Sequence, residues 1–355
     1  MPYDRQVRRR LLATAALALV PLLGACAAQQ STSIEQLSSE PVPTEVPDGT
    51  KLVFADQNEE VQTLMKASGE GDALAGDTEF ANFIGGPEIL EAIRADAVDV
   101  AYVGDTPPIQ AQAAGELVPI VAAVHSSAPD YQFAVRPGLE VNSLEELEGK
   151  KIAYAEGTGR QPMVLRALAK AGLSKDDVEL VPLDASDFPD AIRNGQVDVA
   201  PLNEPHFTRY LGTEGASAVP EEELEGLTNG LHYVYARGDS LADPAKAAAI
   251  RDFVQHFVAA YQWSLDNPED WVQAYHVDAQ QLSKEEGLSV VEAQGEVTFP
   301  PLDDALIARQ QDTIDTIHDA GELPEELDAK DEFATQFDEA VAEAVEEAGA
   351  SRGSQ

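Results

Sequence analysis

Cysteine occurs once in the chain, at Cys26, so there is no internal disulfide and no second thiol for redox or thiolate chemistry. Basic residues are scarce: 23 Lys and Arg stand against 64 Asp and Glu, a net charge of −41. A chain with so small a basic footprint is not built to hold nucleic acid, and nothing draws its folded part to anionic lipid. The acids read instead as solvated faces, as at Glu221-Glu222-Glu223 and from Glu325 onward. Catalytic signatures are missing as well. There is no Gly-x-Ser-x-Gly elbow, no His-Glu-x-x-His helix and no phosphate-binding Walker loop, and the six histidines are scattered without ligand spacing. No catalytic residue, metal or cofactor is therefore expected.

What is present begins at the N-terminus. Arg5, Arg8, Arg9 and Arg10 precede the apolar run Leu11–Leu23, which is too short to span a bilayer. The run ends in Leu23-Gly24-Ala25-Cys26, which looks like a bacterial lipobox, with Cys26 as the acylated residue. An ordinary secretory signal with an incidental cysteine is the competing reading. Residues 1–26 are expected to be a lipoprotein signal peptide, and residues 27–49, rich in Gln, Ser, Thr and Pro, a flexible tether. The expected location is the extracytoplasmic face of the cell membrane, held by the lipid.

The most informative feature is a repeat. Residues 92–101, AIRADAVDVA, return at 191–200 as AIRNGQVDVA, identical at seven of ten positions, with an acid following in register at Asp105 and Glu204. Each copy reads as a helix end, a turn and a short buried strand. In open α/β sheets ligands sit at the carboxyl ends of such strands. Two copies predict two similar α/β lobes whose edges face each other across a cleft.

The pattern along the chain agrees. Strands are expected at 51–55, 80–84, 98–103, 117–124, 151–154, 178–182 and 231–236, with helices between them and a largely helical end from Pro244. The chain crosses to the second lobe near Tyr131–Arg136 and returns at Leu231–Ala236. The expected division is lobe 1 from 50–132 plus 232–345, lobe 2 from 133–231, and a disordered tail at 346–355.

The segment Gly104–Gly115, GDTPPIQAQAAG, closely resembles solute-binding proteins of aliphatic sulfonate, taurine and nitrate ABC importers. Gly85-Gly86-Pro87-Glu88-Ile89-Leu90-Glu91-Ala92, the stretch Leu144–Ile152, Leu165-Arg166-Ala167-Leu168 and Ala308-Arg309-Gln310-Gln311 fit the same family, so the resemblance spans residues 50 to 330. It implies a type II periplasmic-binding-protein fold, two α/β lobes on a two-strand hinge. It also implies a monomer that closes on a small sulfonate or related sulfur compound and hands it to a permease driven by a separate ATPase. The same role for nitrate, a taurine-like zwitterion or a thiamine-pyrimidine precursor is the alternative. An enzyme on this fold is the rival class; the thiamine-pyrimidine synthases that resemble these binders carry a cysteine-rich iron motif absent here. Two turns depart from the family pattern: Thr158-Gly159-Arg160-Gln161 replaces a Ser-rich turn ending in His, and Asn203-Glu204-Pro205 replaces Trp-Asp-Pro.

An anionic head group in so acidic a chain needs local donors. Three helix starts offer amides and a positive dipole end, after Gly86-Pro87, at Thr106-Pro107 and at Gly159–Pro162. Arg160 adds an always-charged fork, with a surface ion pair as its competing role. Thr106 and Thr158 are placed as hydroxyl donors, with plain N-capping as the alternative. Gly86 and Gly159 allow close backbone approach, Gln57, Asn58, Gln161 and Asn203 are polar donors, and His125 follows a strand toward the cleft. Asp105 is expected at the cleft edge, capping its helix. Glu204 either caps likewise or takes an amine. His206 and His232 read as structural, and Trp263 and Trp271 as core.

Overall fold

The computed structural model describes residues 33–38 and 41–353. The signal segment, Cys26 and residues 27–32 and 39–40 of the tether lie outside the described residues. Among those described, no helix is long and apolar enough to cross a membrane.

Among the described residues eleven strands form two sheets within one compact unit. The strands are β1 (Lys51–Gln57), β2 (Asp77–Phe83), β3 (Val100–Gly104), β4 (Ile120–Ser126), β5 (Gln132–Val135), β6 (Lys151–Tyr154), β7 (Glu179–Pro182), β8 (Val199–Leu202), β9 (Ser217–Ala218), β10 (Leu231–Ala236) and β11 (Val297–Thr298). The first sheet has the order β11-β4-β10-β3-β1-β2, the second β7-β6-β8-β5-β9. In the first, β1 is parallel to β2 and β3, and β10 runs antiparallel beside β3. In the second, β6 is parallel to β7 and β8, and β5 runs antiparallel beside β8. Each sheet thus contains a parallel trio flanked by an antiparallel strand that has just crossed from the other lobe, with β4 and β11 beyond it in the first sheet and β9 in the second. The central strands are buried along their length and read as unbroken apolar runs, as helix-covered strands must.

The repeat has a structural meaning beyond lobe symmetry. The helices Gly86–Arg94 and Phe188–Arg193 end alike: Ala97 and Gln196 donate back to Ala92 and Ala191, each at 2.9 Å. The left-handed position between them holds Asp96 (φ 56°) in one copy and Gly195 (φ 71°) in the other. The shared aspartates then act identically. Asp99 accepts the Val53 amide and Asp198 the Lys151 amide, both at 3.0 Å, which ties β3 to β1 and β8 to β6. Asp99 also pairs with Arg237 at 3.4 Å, and Asp198 with Arg136 at 2.6 Å; each arginine directly follows an antiparallel crossing strand. The conserved-looking dipeptide Val-Asp of the repeat is therefore a clamp joining three strands of each sheet.

The first lobe is closed by the long helix Pro244–Asp266, capped by Asp243, whose carboxylate accepts the amides of Ala245 and Lys246 at 2.9 and 3.2 Å. Its buried stripe of Ile250, Phe253, Val254, Phe257, Val258 and Tyr261 has helical spacing and packs on β1, where Phe253 stacks on Phe54 with centroids 4.6 Å apart.

Three expectations need correction. The tether is not free throughout: Ile34, in the helix Ile34–Ser38, and Val42 pack against the first lobe, because the segment carries just enough apolar surface to bury. The described part of the tail, residues 346–353, holds to the first lobe: the helix Asp338–Ala348 runs into it, Ala348 and Ala350 pack on the first core, and Ser351 accepts the Phe299 amide at 2.7 Å. Chain order also misplaces the end of the helix Asp304–Asp319. Leu306 near its start belongs to the first core, whereas Ile314 and Ile317, with Leu323, pack in the second. This helix accordingly runs beside the two strand crossings and spans both lobes.

Candidate functional site

The segments after β2, β3 and β6 meet across the cleft. An added Cβ at Gly86 would overlap Pro107 and lie 3.6 Å from the Gly157 carbonyl, and one at Gly157 would touch Pro87 at 3.5 Å. The lobes are in contact here, and the cleft is drawn down to a cavity of about 10 Å³, room for one water. Its lining comes from both lobes: Gly104 and Asp105 after β3, Gly159, Pro162 and Arg166 around the helix Arg160–Lys170, and Asp130, Tyr131, Asn229 and His232 from the crossings.

Arg160 does not line this cavity itself; it lies beside the cavity-lining Tyr131 and is unusual in its partners. Its Nε donates to the Pro201 carbonyl at 3.2 Å and its Nη2 to Asn203 Oδ1 at 2.7 Å. The guanidinium lies 4.7 Å from the Tyr131 ring centroid and 5.8 Å from that of Phe188. Every one of these neighbours is neutral, and among the described residues no carboxylate pairs with it. Arg166, nearly two turns further along the helix, instead pairs with Asp312 at 3.0 Å. Burial lowers the pKa of Arg160, opposed by Tyr131, whose own hydroxyl is pushed up to about 12. A guanidinium remains charged under such a shift. The result is a cation with donors to spare, held by two neutral oxygens and two rings.

Several expected donors are already committed. Asp105 sits at the N-cap position of the helix Thr106–Ala113 but makes no side-chain cap bond. Its buried carboxylate instead accepts from Thr106 Oγ1 (3.0 Å), Asn229 Nδ2 (2.7 Å) and Thr313 Oγ1 (3.1 Å). It is a knot between the first lobe, a crossing and the lobe-spanning helix. Thr106 is fully buried and spends its hydroxyl on that knot. Thr158 donates to the Ala155 carbonyl at 2.9 Å. Gln161 is buried, accepting from the Gly157 amide at 2.8 Å and donating to Glu322 at 2.6 Å. Glu204 accepts from the amide and hydroxyl of Thr208 at 3.2 and 3.0 Å, within the first turn of the helix His206–Leu211, whose N-cap is Pro205.

The remaining residues divide. Gly159 lines the cavity, where a Cβ would come within 2.9 Å of the Tyr131 hydroxyl. Asn203 is drawn in through Arg160. Gln57 bridges to the Ile84 carbonyl at 3.4 Å, and exposed Asn58, at φ 55°, accepts from Gln280 through its carbonyl; neither lines the cavity. His125 stands on β4 opposite Leu231, outside the lining, its pKa lowered by burial and by Arg309. His232, expected to be structural, lines the cavity instead, with Nδ1 3.8 Å from Asp130.

The helix starts also offer less than expected. Pro87, Pro107, Pro108 and Pro162 remove amides from the first turns, and the Gln161 amide is spent on the Thr158 carbonyl. Fixed donors at the cleft therefore rest more on Arg160 than on helix dipoles. Asp130, Tyr131 and Asn229 escaped sequence reading because they lie in crossings, where no period marks a face; the Asn229-Gly230 turn pair was the one available signal.

Comparison with known proteins bears on this geometry. A family model described as NMT1/THI5 like matches residues 85–271. A protein of Escherichia coli (strain K12) named for aliphatic sulfonate binding is 26% identical over 254 residues, 70% of this chain and 76% of that protein. The alkanesulfonate-binding protein SsuA from Xanthomonas axonopodis pv. citri, solved bound to MOPS, superposes with a TM-score of 0.72 at 22% identity, covering 80% of this chain and 98% of that one. The desulfurization enzyme DSZB shares the fold at a TM-score of 0.60 and 16% identity, covering 84% and 99%.

Proposed function

The chain belongs to the NMT1/THI5-like family, whose model covers more than half of it, and from that membership we propose that it is the extracytoplasmic binding component of an ABC importer. It captures a small sulfonate or related sulfur anion between its lobes and releases it to a permease. The relatives named for sulfonate binding support the transport role. The observation that carries the ligand class is Arg160, a cleft-edge guanidinium held by neutral oxygens and free of any carboxylate among the described residues. An anion supplies the charge that its neighbours withhold.

Mechanism follows from the two-lobed site. Gly159 and Arg166 line the cavity from the second lobe, with Arg160 beside them against Tyr131; Gly104 and Asp105 line it from the first. A ligand touching both stabilises the closed arrangement by its differential affinity, and no bond is made or broken. The chain acts as a monomer anchored through Cys26, with an unmodified ligand as its cargo.

Calorimetry and thermal shift of the purified chain against ethanesulfonate, propanesulfonate and nitrate test this reading. A sulfonate is expected to raise the melting temperature in proportion to its occupancy, to be recovered unchanged, and to bind at least tenfold more weakly to Arg160→Ala, whose own melting temperature stays close to wild type. Unchanged affinity in that variant places Arg160 outside the site.

A further inference from the structure

The loop that carries Arg160 is held by a carboxylate at the end of the lobe-spanning helix. Gly157 stands in this loop in the left-handed region (φ 73°), where a Cβ would touch Pro87 and Gln110, from the helices after β2 and β3, at 3.5 and 3.6 Å. The Gly157 amide donates to Gln161 Oε1 at 2.8 Å, which closes the loop around Arg160. Gln161 Nε2 donates in turn to Glu322 Oε2 at 2.6 Å, and the Tyr154 hydroxyl donates to the same oxygen. Lys175 takes the other oxygen, Oε1, at 2.8 Å. Burial opposes ionisation of Glu322, but the Lys175, Tyr154 and Gln161 donors outweigh it and hold the carboxyl below the ordinary range. An ionised carboxylate accepts and cannot donate. It therefore fixes which way the Gln161 amide faces, nitrogen toward Glu322 and oxygen toward the Gly157 amide. Tyr131 confines the loop as well: a Cβ at Gly159 would come within 2.9 Å of its hydroxyl, and its ring centroid lies 4.7 Å from the Arg160 guanidinium.

Glu322 is itself fixed in place. It follows Gly321, at φ 73°, and its amide donates to the Ile317 carbonyl at 3.1 Å, capping the end of the helix Asp304–Asp319. Nearer its middle the same helix holds the first-lobe wall, where Gln310 donates to the Asp105 carbonyl at 2.9 Å and Thr313 to the Asp105 carboxylate at 3.1 Å. One element thus grips residues on both sides of the cleft. We propose that Glu322 is a positioning residue for the anion site: through the Gln161 side chain it sets the loop from which Arg160 reaches the cleft. Gln161, expected as a ligand donor, serves as the relay. The inference rests on the anion reading of Arg160.

A double-mutant cycle on the full chain separates positioning from general support, with propanesulfonate as the calorimetric probe. Gln161→Met removes the relay at similar side-chain length, and Glu322→Ala removes its anchor. Each is expected to weaken binding about tenfold, the scale of one hydrogen bond to a charged group. In an Arg160→Ala background the same substitutions should change affinity less than about twofold, because the residue they position is gone. Lys175→Met reaches the same carboxylate through its other oxygen. It should lower the melting temperature yet keep affinity within about twofold of wild type. Melting temperature and far-ultraviolet circular dichroism report the fold of each variant. The two relay variants approach the contact from opposite ends, so either one that folds carries the cycle. Unchanged affinity in a folded relay variant, a loss of equal size in the Arg160→Ala background, or the same loss in Lys175→Met overturns the positioning role and leaves Arg160 as the anion site. Unchanged affinity in Arg160→Ala alone, or failure of every sulfonate to bind, overturns the anion reading, and this inference with it.

Discussion

Arg160 and Glu332 show how burial acts on single charges with opposite consequences. Arg160 keeps its charge because no shift of ordinary size deprotonates a guanidinium, so desolvation raises its appetite for an anion instead. Glu332 can surrender its charge. It is buried beneath the Asp105 knot, where Gln310 Nε2 donates to its Oε2 at 2.7 Å and to the Asp105 carbonyl at 2.9 Å. Its Oε1 is buried without a hydrogen-bond partner among the described residues, and burial together with Asp105 pushes its pKa up to about 8. The folded state therefore holds a proton that the unfolded chain loses near pH 4.5. The stability this contributes is complete below 4.5 and disappears as pH rises through about 8. Melting temperatures at pH 5.5 and 8.5 should show wild type less stable at the higher pH, and Glu332→Gln should flatten that difference. An unchanged slope in the variant means Glu332 is ionised in the fold.

At the scale of elements, the repeated clamp makes a graded prediction. Asp99 is nearly inaccessible, at 5% side-chain exposure against 20% for Asp198. It also holds more partners, since Ser240 donates at 2.7 Å and the Lys246 ammonium joins the Arg237 pair. Its carboxyl is accordingly held below the ordinary range by the Lys246, Ser240 and Val53 donors acting against burial. Asp99→Ala strands a lysine and a strand amide in the interior and should cost about 3–5 kcal/mol. Asp198→Ala, nearer to water, should cost about 1–2 kcal/mol. Urea midpoints of the two variants measure this, and equal losses would show that the two clamps are energetically alike despite their burial.

Over the whole molecule, the charge of −41 is the dominant long-range term. Self-repulsion of this size weakens the compact state and is screened beyond about 10 Å at 0.1 M salt. The melting temperature should rise as sodium chloride goes from about 0.02 M to about 0.5 M, most steeply over the first part of that range, where the Debye length shortens most. A flat response would mean that the acids are already compensated by local pairing.

The sequence by itself determined the lobes. Apolar runs of strand length, the duplicated Val-Asp-Val-Ala and the turn glycines are local signals, and β6 and β10 fall on the expected residues 151–154 and 231–236 because burial on both faces leaves one way to read such a run. It also singled out Arg160 at a glycine-rich helix entry, though not the neutral partners that hold it. Only the tertiary structure decided which polar groups were left over. Asp105, Thr106, Thr158 and Gln161 look like ligand donors along the chain, yet their partners come from residues as distant as Thr313 and Glu322. Asp130, Tyr131 and His232 gain their place because two crossings and one lobe-spanning helix bring them together. Hydrogen-bond satisfaction is a property of the assembled fold, and binding capacity is what remains once it is met.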